Sequence, residues 1–198
     1  MSAATSDRHH LDVEVRALTP DDTDALRRFF GRVPEGDRTF FREDVLLPGV
    51  VERWLADPGQ HRLVALVDGE IAGSVAVIPG VGWTRHVGEL RLVVDPAFRR
   101  RGVGRLLAQR AVIQAVELGT AKLVVEVVAE QDATVAMFTA LGFEPEGLLK
   151  DHVRSHAGEM HDLLVLSHVV QELWDTMRAT GIDELVLADS AADPSDGA

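Results

Sequence analysis

The strongest constraint on the fold lies between Leu90 and Leu107. A strand-like run, Leu90–Val94, stops at Asp95-Pro96, and Arg99-Arg100-Arg101-Gly102-Val103-Gly104 then opens a different pattern. In it Leu106, Leu107, Ala111, Ala115 and Leu118 recur at three- and four-residue spacing. Proline cannot continue a strand ladder, and the new period is that of an amphipathic helix. The segment therefore reads as strand, short loop, and helix over Val103–Leu118. Glycines at the junction let backbone N–H groups approach a ligand, and the helix N-terminus adds about half a positive charge. Three arginines strengthen that field in a chain whose formal net charge is −12. An anion site suited to a diphosphate follows.

Around this junction the chain alternates strand and helix signals. Asp12–Leu18 alternates apolar and charged residues as a half-buried strand does. Thr19-Pro20-Asp21-Asp22 carries helix-start chemistry, with Thr19 as N-cap and a helix to about Phe30. Residues 31–48 predict a loop with a short helix, and Val50–Ala56 a further helical piece. Arg62–Val67 and Ile71–Ile78 flank Asp68-Gly69, a strong hairpin signal. Glu89–Val94 and the valine-rich Lys122–Val128 are strands. Asp132 is expected to cap a helix through Leu141 that Gly142 ends. Leu163–Leu166 is the last core strand, and His168–Ala179 an added helix. The expected organisation is a flexible 1–10, one mixed α/β domain over 11–168, a helical extension over 169–188 and a disordered acidic tail over 189–198.

Composition narrows the function. No apolar run approaches the roughly 20 residues that cross a bilayer, and Met1–His10 lacks the apolar core of a signal peptide. The sequence has no cysteine, which rules out disulfides, thiolate metal sites and a thiol nucleophile. The acidic balance disfavours nucleic acid and favours cationic partners. His152, His156, His161 and His168 match no metal-ligand spacing, so no metal is expected. A cytoplasmic protein, monomeric or homodimeric, is the expectation.

Three anion-binding loops fit a glycine-rich junction. A dinucleotide fingerprint needs a third glycine where Leu107 stands, and no Gly-x-x-x-x-Gly-Lys-Ser/Thr string is present. The remaining pattern, Arg-x-x-Gly-x-Gly after Val-Asp-Pro, resembles the acetyl-CoA loop of the GNAT superfamily. Downstream, Gln131-Asp132-Ala133-Thr134 through Phe138 to Gly142-Phe143 resembles that family's second signature, and the resemblance covers roughly residues 12–168. It implies an α/β (α+β) fold whose central sheet is mixed, mostly antiparallel, twisted, splayed at the cofactor site and flanked by helices. It further implies an N-acetyltransferase that moves the acetyl group of acetyl-CoA to an amine on a protein lysine, a protein N-terminus or a small molecule. Leu92, Val93 and Val94 would lie beside the pantetheine arm. Arg99, Arg100, Arg101, Gly102, Val103, Gly104 and Arg105 would cradle the pyrophosphate, with Gln131 and Phe138 completing the cofactor site. Glu89 corresponds to a general-base glutamate, and its ten-residue spacing to Arg99 resembles bacterial protein-lysine acetyltransferases. Glu126 is the reserve base.

The chemistry explains why a carboxylate matters. A lysine amine with a pKa near 10.4 is neutral in only about one molecule in a thousand, or fewer, at pH 7, so a positioned base must take its proton. Two residues depart from the family pattern. Phe138 stands where many members have a tyrosine that protonates the leaving thiolate, and the chain contains no tyrosine. Gln131 replaces the usual asparagine. A thiolate with a pKa near 8.5 leaves unassisted or with help from water. The missing tyrosine also keeps open a non-catalytic acyl-CoA-binding module of the same fold, and an unrelated α/β nucleotide-binding protein is a further alternative. His86, His152 and His161 are candidates for the acceptor pocket, whereas Phe40, Phe41 and Trp83 either close its acceptor side or, as expected, pack in the core.

Overall fold

The computed structural model describes residues 11–38, 41–57 and 59–170. Seven strands form a single sheet: β1 (Glu14–Ala17), β2 (His61–Val67), β3 (Glu70–Pro79), β4 (Val87–Val94), β5 (Lys122–Val128), β6 (Glu144–Arg154) and β7 (Met160–Val169), in the order β1-β2-β3-β4-β5-β7-β6. The β4–β5 pairing alone is parallel. That follows from connectivity. Tight turns join β2 to β3 antiparallel, whereas the helix between β4 and β5 carries the chain back across the sheet. At the first turn Asp68 and Gly69 both adopt positive φ, 51° and 78°, the geometry that a two-residue hairpin requires.

Helices cover both faces. Helix α4 (Val103–Glu117) buries Leu107, Ala108, Ala111 and Ala115 against Val75, Val77, Leu90, Leu92 and Val94. On the opposite face, α1 (Thr23–Arg32) and α3 (Val50–Ala56) build a second core from Leu26, Phe29, Phe30, Val50, Val51 and Trp54 over Val64, Ile71 and Val93. Because strand side chains alternate, β4 sends Leu90, Leu92 and Val94 towards α4, and Glu89, Arg91 and Val93 towards α1 and α3. The remaining helices are α2 (Glu35–Arg38) and α5 (Asp132–Thr139).

Several sequence expectations need correction. Residues 144–154 form an eleven-residue strand that carried no strand signal, because it pairs only with β7 and lies almost wholly exposed with charged side chains on both faces. Its pairing is interrupted near Pro145 and again between Leu149 and Val153, which breaks the alternation that a reader of sequence depends on. Strand β7 runs past Leu163–Leu166, and His168 and Val169, expected to begin a helix, pair with Leu123 and Lys122 instead. Residues 171–179 of that helix and the tail lie outside the described residues, as does Phe40. Gln131, not Asp132, occupies the N-cap of α5. Trp83 sits in the β3–β4 connection and is 92% exposed rather than packed in the core, while Phe41 packs edge-on against Phe30 at 5.9 Å.

Candidate active site

The sheet opens in its middle. Strands β4 and β5 pair over only three positions, Val87 with Lys122, Gly88 with Leu123, and Glu89 with Val124. Beyond Glu89, β4 stays bonded to β3 through Val94, and beyond Val124, β5 stays bonded to β7 through Val128. The facing edges of residues 90–94 and 125–128 thus leave each other and present backbone polar groups to a cleft of about 1390 Å³. An exposed strand edge is a ready template for another extended chain of amide groups. Leu92, Val93 and Val94 line this cleft with Val125, Val127 and Val128.

At the wide end of the split, the loop after β4 folds back under α4. Asp95 is buried, and its carboxylate accepts from Ala97 N at 3.0 Å and Arg32 Nε at 2.6 Å. Arg32 also donates to the Ile71 carbonyl at 2.8 Å, so α1 pins the corner from which the loop departs. Arg100 then takes φ 57° and Gly102 φ 91°. These left-handed residues reverse the chain so that Gly102 caps α4, whose first intrahelical bond runs from Leu106 N to Gly102 O at 3.0 Å. The preceding helical N–H groups lack intrahelical acceptors, and such groups attract anions. Gly104 faces Val94 and Met137: a Cβ there would meet Val94 Cγ2 at 3.3 Å and Met137 Sδ at 3.4 Å.

Of the loop residues, Arg99, Arg100, Gly102, Gly104 and Arg105 line the cleft, as do Gln131 and Phe138. Two others turn away. Arg101 lies over the Phe98 ring at 5.9 Å outside the cleft lining, and the Val103 side chain is buried in the α4 core, so Val103 offers a ligand only its backbone. Arg99 is committed within the protein, donating to Val94 O at 3.1 Å and Asp37 Oδ2 at 2.6 Å. Phe138 is 1% exposed and meets Phe143 edge-on at 5.1 Å. Its packing role is therefore satisfied without a hydroxyl.

Glu89 stands at the apex of the split, the last residue of β4 with a partner on β5. The parallel register places Glu126 on the same face one pair further along. Arg42, from the α2–α3 connection, bridges the two carboxylates, donating from Nε to Glu89 Oε1 at 3.0 Å and from Nη2 to Glu126 Oε2 at 2.6 Å. Arg91 adds bonds to Glu89 of 2.8 and 3.2 Å. Burial pushes the Glu89 carboxyl upward, but the hydrogen bond and charge of Arg91, with the charge of Arg42, outweigh it and hold Glu89 below its ordinary value. Sequence reasoning found Glu89 and Glu126 and missed Arg42 and Arg91. Arg91 was legible in principle, two residues from Glu89 on one strand face. Arg42 was not, because 47 positions separate it from Glu89.

The split sheet, the loop and this pair of carboxylates can be set beside known proteins. A model of the GNAT acetyltransferase family matches residues 23–143, more than half of the chain. The chain belongs to the GNAT acetyltransferase family. It is 30% identical to acetyltransferase plu1384 of Photorhabdus laumondii over 67% of this chain and 87% of that protein. It is 27% identical to the N-alpha-acetyltransferase RimI of Mycobacterium tuberculosis over 63% of this chain and 77% of that protein. Among solved structures, a ribosomal-protein-alanine N-acetyltransferase from Brucella melitensis matches with a TM-score of 0.69 at 26% identity, covering 79% of this chain and 99% of that one. The yncA protein of Salmonella typhimurium, solved with its cofactor acetyl-CoA, matches with a TM-score of 0.69 at 18% identity over 80% and 94% of the two chains. This GNAT protein is an acyltransferase, a member of a family that uses acetyl-CoA as co-substrate.

His152 lines the cleft, whereas His161 lies 3.5 Å from Glu130 and His168 stacks on Phe143 with Nδ1 2.7 Å from Gly142 O. The His86 side chain does not line the cleft; its carbonyl receives Ala121 N and Lys122 N. Among the described residues no group of His, Asp and Glu is placed to hold a metal ion. Although the chain is acidic overall, seven arginines and six carboxylates line the cleft, so the local field is mixed and its detail decides what binds.

Proposed function

We propose that the protein transfers the acetyl group of acetyl-CoA directly to a primary amine, with Glu89 as the group that receives the amine's proton. The observation that carries this reading is the coincidence of Glu89 with the apex of the β4–β5 split, where an extended ligand on the strand edges would end. Residues 90–94 and 125–128 offer the polar edges that a pantetheine chain pairs with. The amides of Arg100–Arg105 at the start of α4 suit its pyrophosphate, with the arginine side chains of the loop adding field. Leu92, Val93, Val94, Gln131 and Phe138 bound the same channel. The co-substrate supplies an activated acetyl thioester; the protein aligns it with the amine and removes a proton.

The proton step defines what Glu89 must do. An alkyl ammonium is far less acidic than a carboxylic acid, and Arg91 and Arg42 make the Glu89 carboxylate a still weaker base. Glu89 therefore works as an anchor that receives the acceptor's ammonium and passes its proton onward through water. Arriving at Glu89 and Glu126, the acceptor's cation takes the place of Arg42 and keeps the carboxylates charged until its proton has left through water. Catalysis on this reading is mainly positioning and deprotonation.

The test is Glu89→Gln. It keeps the shape and the strand but accepts no proton. Acetyl-CoA binding should remain within about threefold of the unmodified protein, while kcat/KM for an acetylated amine falls by roughly 10²- to 10⁴-fold. Unchanged turnover would remove Glu89 from the reaction and transfer the role to Glu126.

A further inference from the structure

Behind the carboxylate pair lies an arginine whose charge the protein leaves unmatched. Arg62 on β2 pairs with Ala76 on β3, which pairs with Arg91 on β4. Residues directly opposite across neighbouring strands share a sheet face, so Arg62 and Arg91 flank one small, buried alanine on the face that bears Glu89. The Arg62 guanidinium lies 3.9 Å over the Trp54 ring, and both arginines line the cleft.

No carboxylate touches Arg62 among the described residues. Its Nη2 donates to the neutral Gln60 Oε1 at 2.5 Å, and its Nε is buried without a partner. The acids near enough to act on it are occupied elsewhere. Glu43 accepts from Trp54 Nε1 at 2.6 Å and Arg53 Nη2 at 2.7 Å, and Asp57 accepts from Gly59 N and Gln60 Nε2. The strain shows in its ionisation: burial, then the like charge of Arg91, pull the Arg62 pKa down to about 10 against the weaker opposing pull of Glu43 and Asp57. Burying a cation with no carboxylate partner is costly, and a charge so perturbed inside a cleft marks a candidate ligand subsite.

We propose that Arg62, with Arg91 beside it, is the subsite for a carboxylate carried by the acceptor, so that the amine acetylated belongs to a small amino acid-like zwitterion. The inference rests on the amine-transfer reading above and narrows its acceptor. The ammonium sits against Glu89 and Glu126, where Arg42 now lies, and the carboxylate sits against the guanidinium held over Trp54. A lysine within a protein carries no carboxylate at that position, and a simple polyamine would bring more positive charge to Arg62.

The test pairs each amino acid with its own α-amide, which keeps the amine and side chain and removes only the negative charge. Acceptor binding is titrated by calorimetry into the CoA-saturated full-length protein, and turnover is followed by thiol release. The free acid should be favoured over its amide by about tenfold to a hundredfold, the scale of a charge-assisted hydrogen-bond pair. The amide's amine is the less basic of the two, so chemistry alone biases turnover the other way. Arg62→Gln should erase the preference by weakening the free acid about tenfold or more relative to its amide, and Arg62→Lys should retain part of it; matched melting temperatures show that both variants fold. Equal binding of acid and amide to the unmodified protein would overturn the proposal, as would an equal loss for both in Arg62→Gln. Preferential acetylation of lysine peptides would overturn it while leaving amine transfer intact. Acid-selective binding that Arg62→Gln abolishes, with no thiol release from any acceptor, would support the subsite and sink the transfer reading.

Discussion

Gly73 should be intolerant of a single methyl group, while Gly31 should welcome one. Gly73 lies in β3 beneath α4 and pairs with Val94, the last residue of β4 before the glycine loop. A Cβ built there falls 2.8 Å from Leu107 Cδ1, 3.1 Å from the Val93 carbonyl oxygen and 3.3 Å from Val103 Cγ1. The first distance is roughly 1 Å inside ordinary carbon–carbon contact, and Leu107 is fully buried, so its side chain has nowhere to swing. Relief requires α4 to lift from the sheet. Overpacking of this kind costs typically 1–3 kcal/mol, and in a chain of this size about 2 kcal/mol lowers the melting temperature by roughly 4–8 °C. Val103 opens α4, so the lift also moves the amides of the anion loop, and acetyl-CoA affinity should fall with stability. Gly31 is an exposed position in α1 with nothing within 4 Å of its built Cβ. Gly31→Ala should stabilise by about 0.5 kcal/mol through the lower entropy of the unfolded chain. Thermal melts of the two variants, with an acetyl-CoA titration of each, form the assay. A Gly73→Ala protein that melts within 1 °C of the parent and binds acetyl-CoA normally would refute the reasoning, because α4 would then have room that these distances deny.

Two pH-dependent predictions follow from the ion pairs. Arg42→Met removes one of the two guanidiniums that depress Glu89, so burial weighs more heavily and the Glu89 pKa rises; the acid limb of kcat/KM should move to higher pH, and an unmoved limb would show that Arg42 does not act on the working base. Asp22, whose carboxylate receives both Arg16 donors at 2.7 Å and the Thr19 backbone and hydroxyl, is held far below the usual carboxylate range. Its contribution is therefore complete above a pH of about 4, where the unfolded carboxylate ionises, and drains away as pH falls towards the depressed folded value. Asp22→Asn should cost about 1–2 kcal/mol near neutrality, with the deficit narrowing below that pH; melts from pH 3 to 7 check this, and a deficit constant with pH would show the loss to be steric.

The sequence by itself determined the local elements and the order of the chemistry. The Asp68-Gly69 turn, the strand ending at Asp95-Pro96, the glycine-capped helix at Val103 and the valine strand Lys122–Val128 each announce themselves within a few residues, because turn geometry, proline and side-chain period act over one or two turns of chain. The glycines of the Arg99–Arg105 loop stand out for the same reason, whereas Glu89 was named only through the family resemblance. Tertiary structure alone decided what these parts face. The split between β4 and β5 exists because each strand keeps its outer partner and loses the inner one after Glu89, a matter of register between segments more than thirty residues apart. Strand β6 escaped notice because an exposed edge need not alternate. The Arg42 bridge, the unmatched charge of Arg62 across Ala76 from Arg91, and the exposure of Trp83 all depend on distances that residue identity does not encode. Ionic and packing partners meet through the folded sheet, and only there does an acidic chain reveal a cleft in which arginine outnumbers carboxylate.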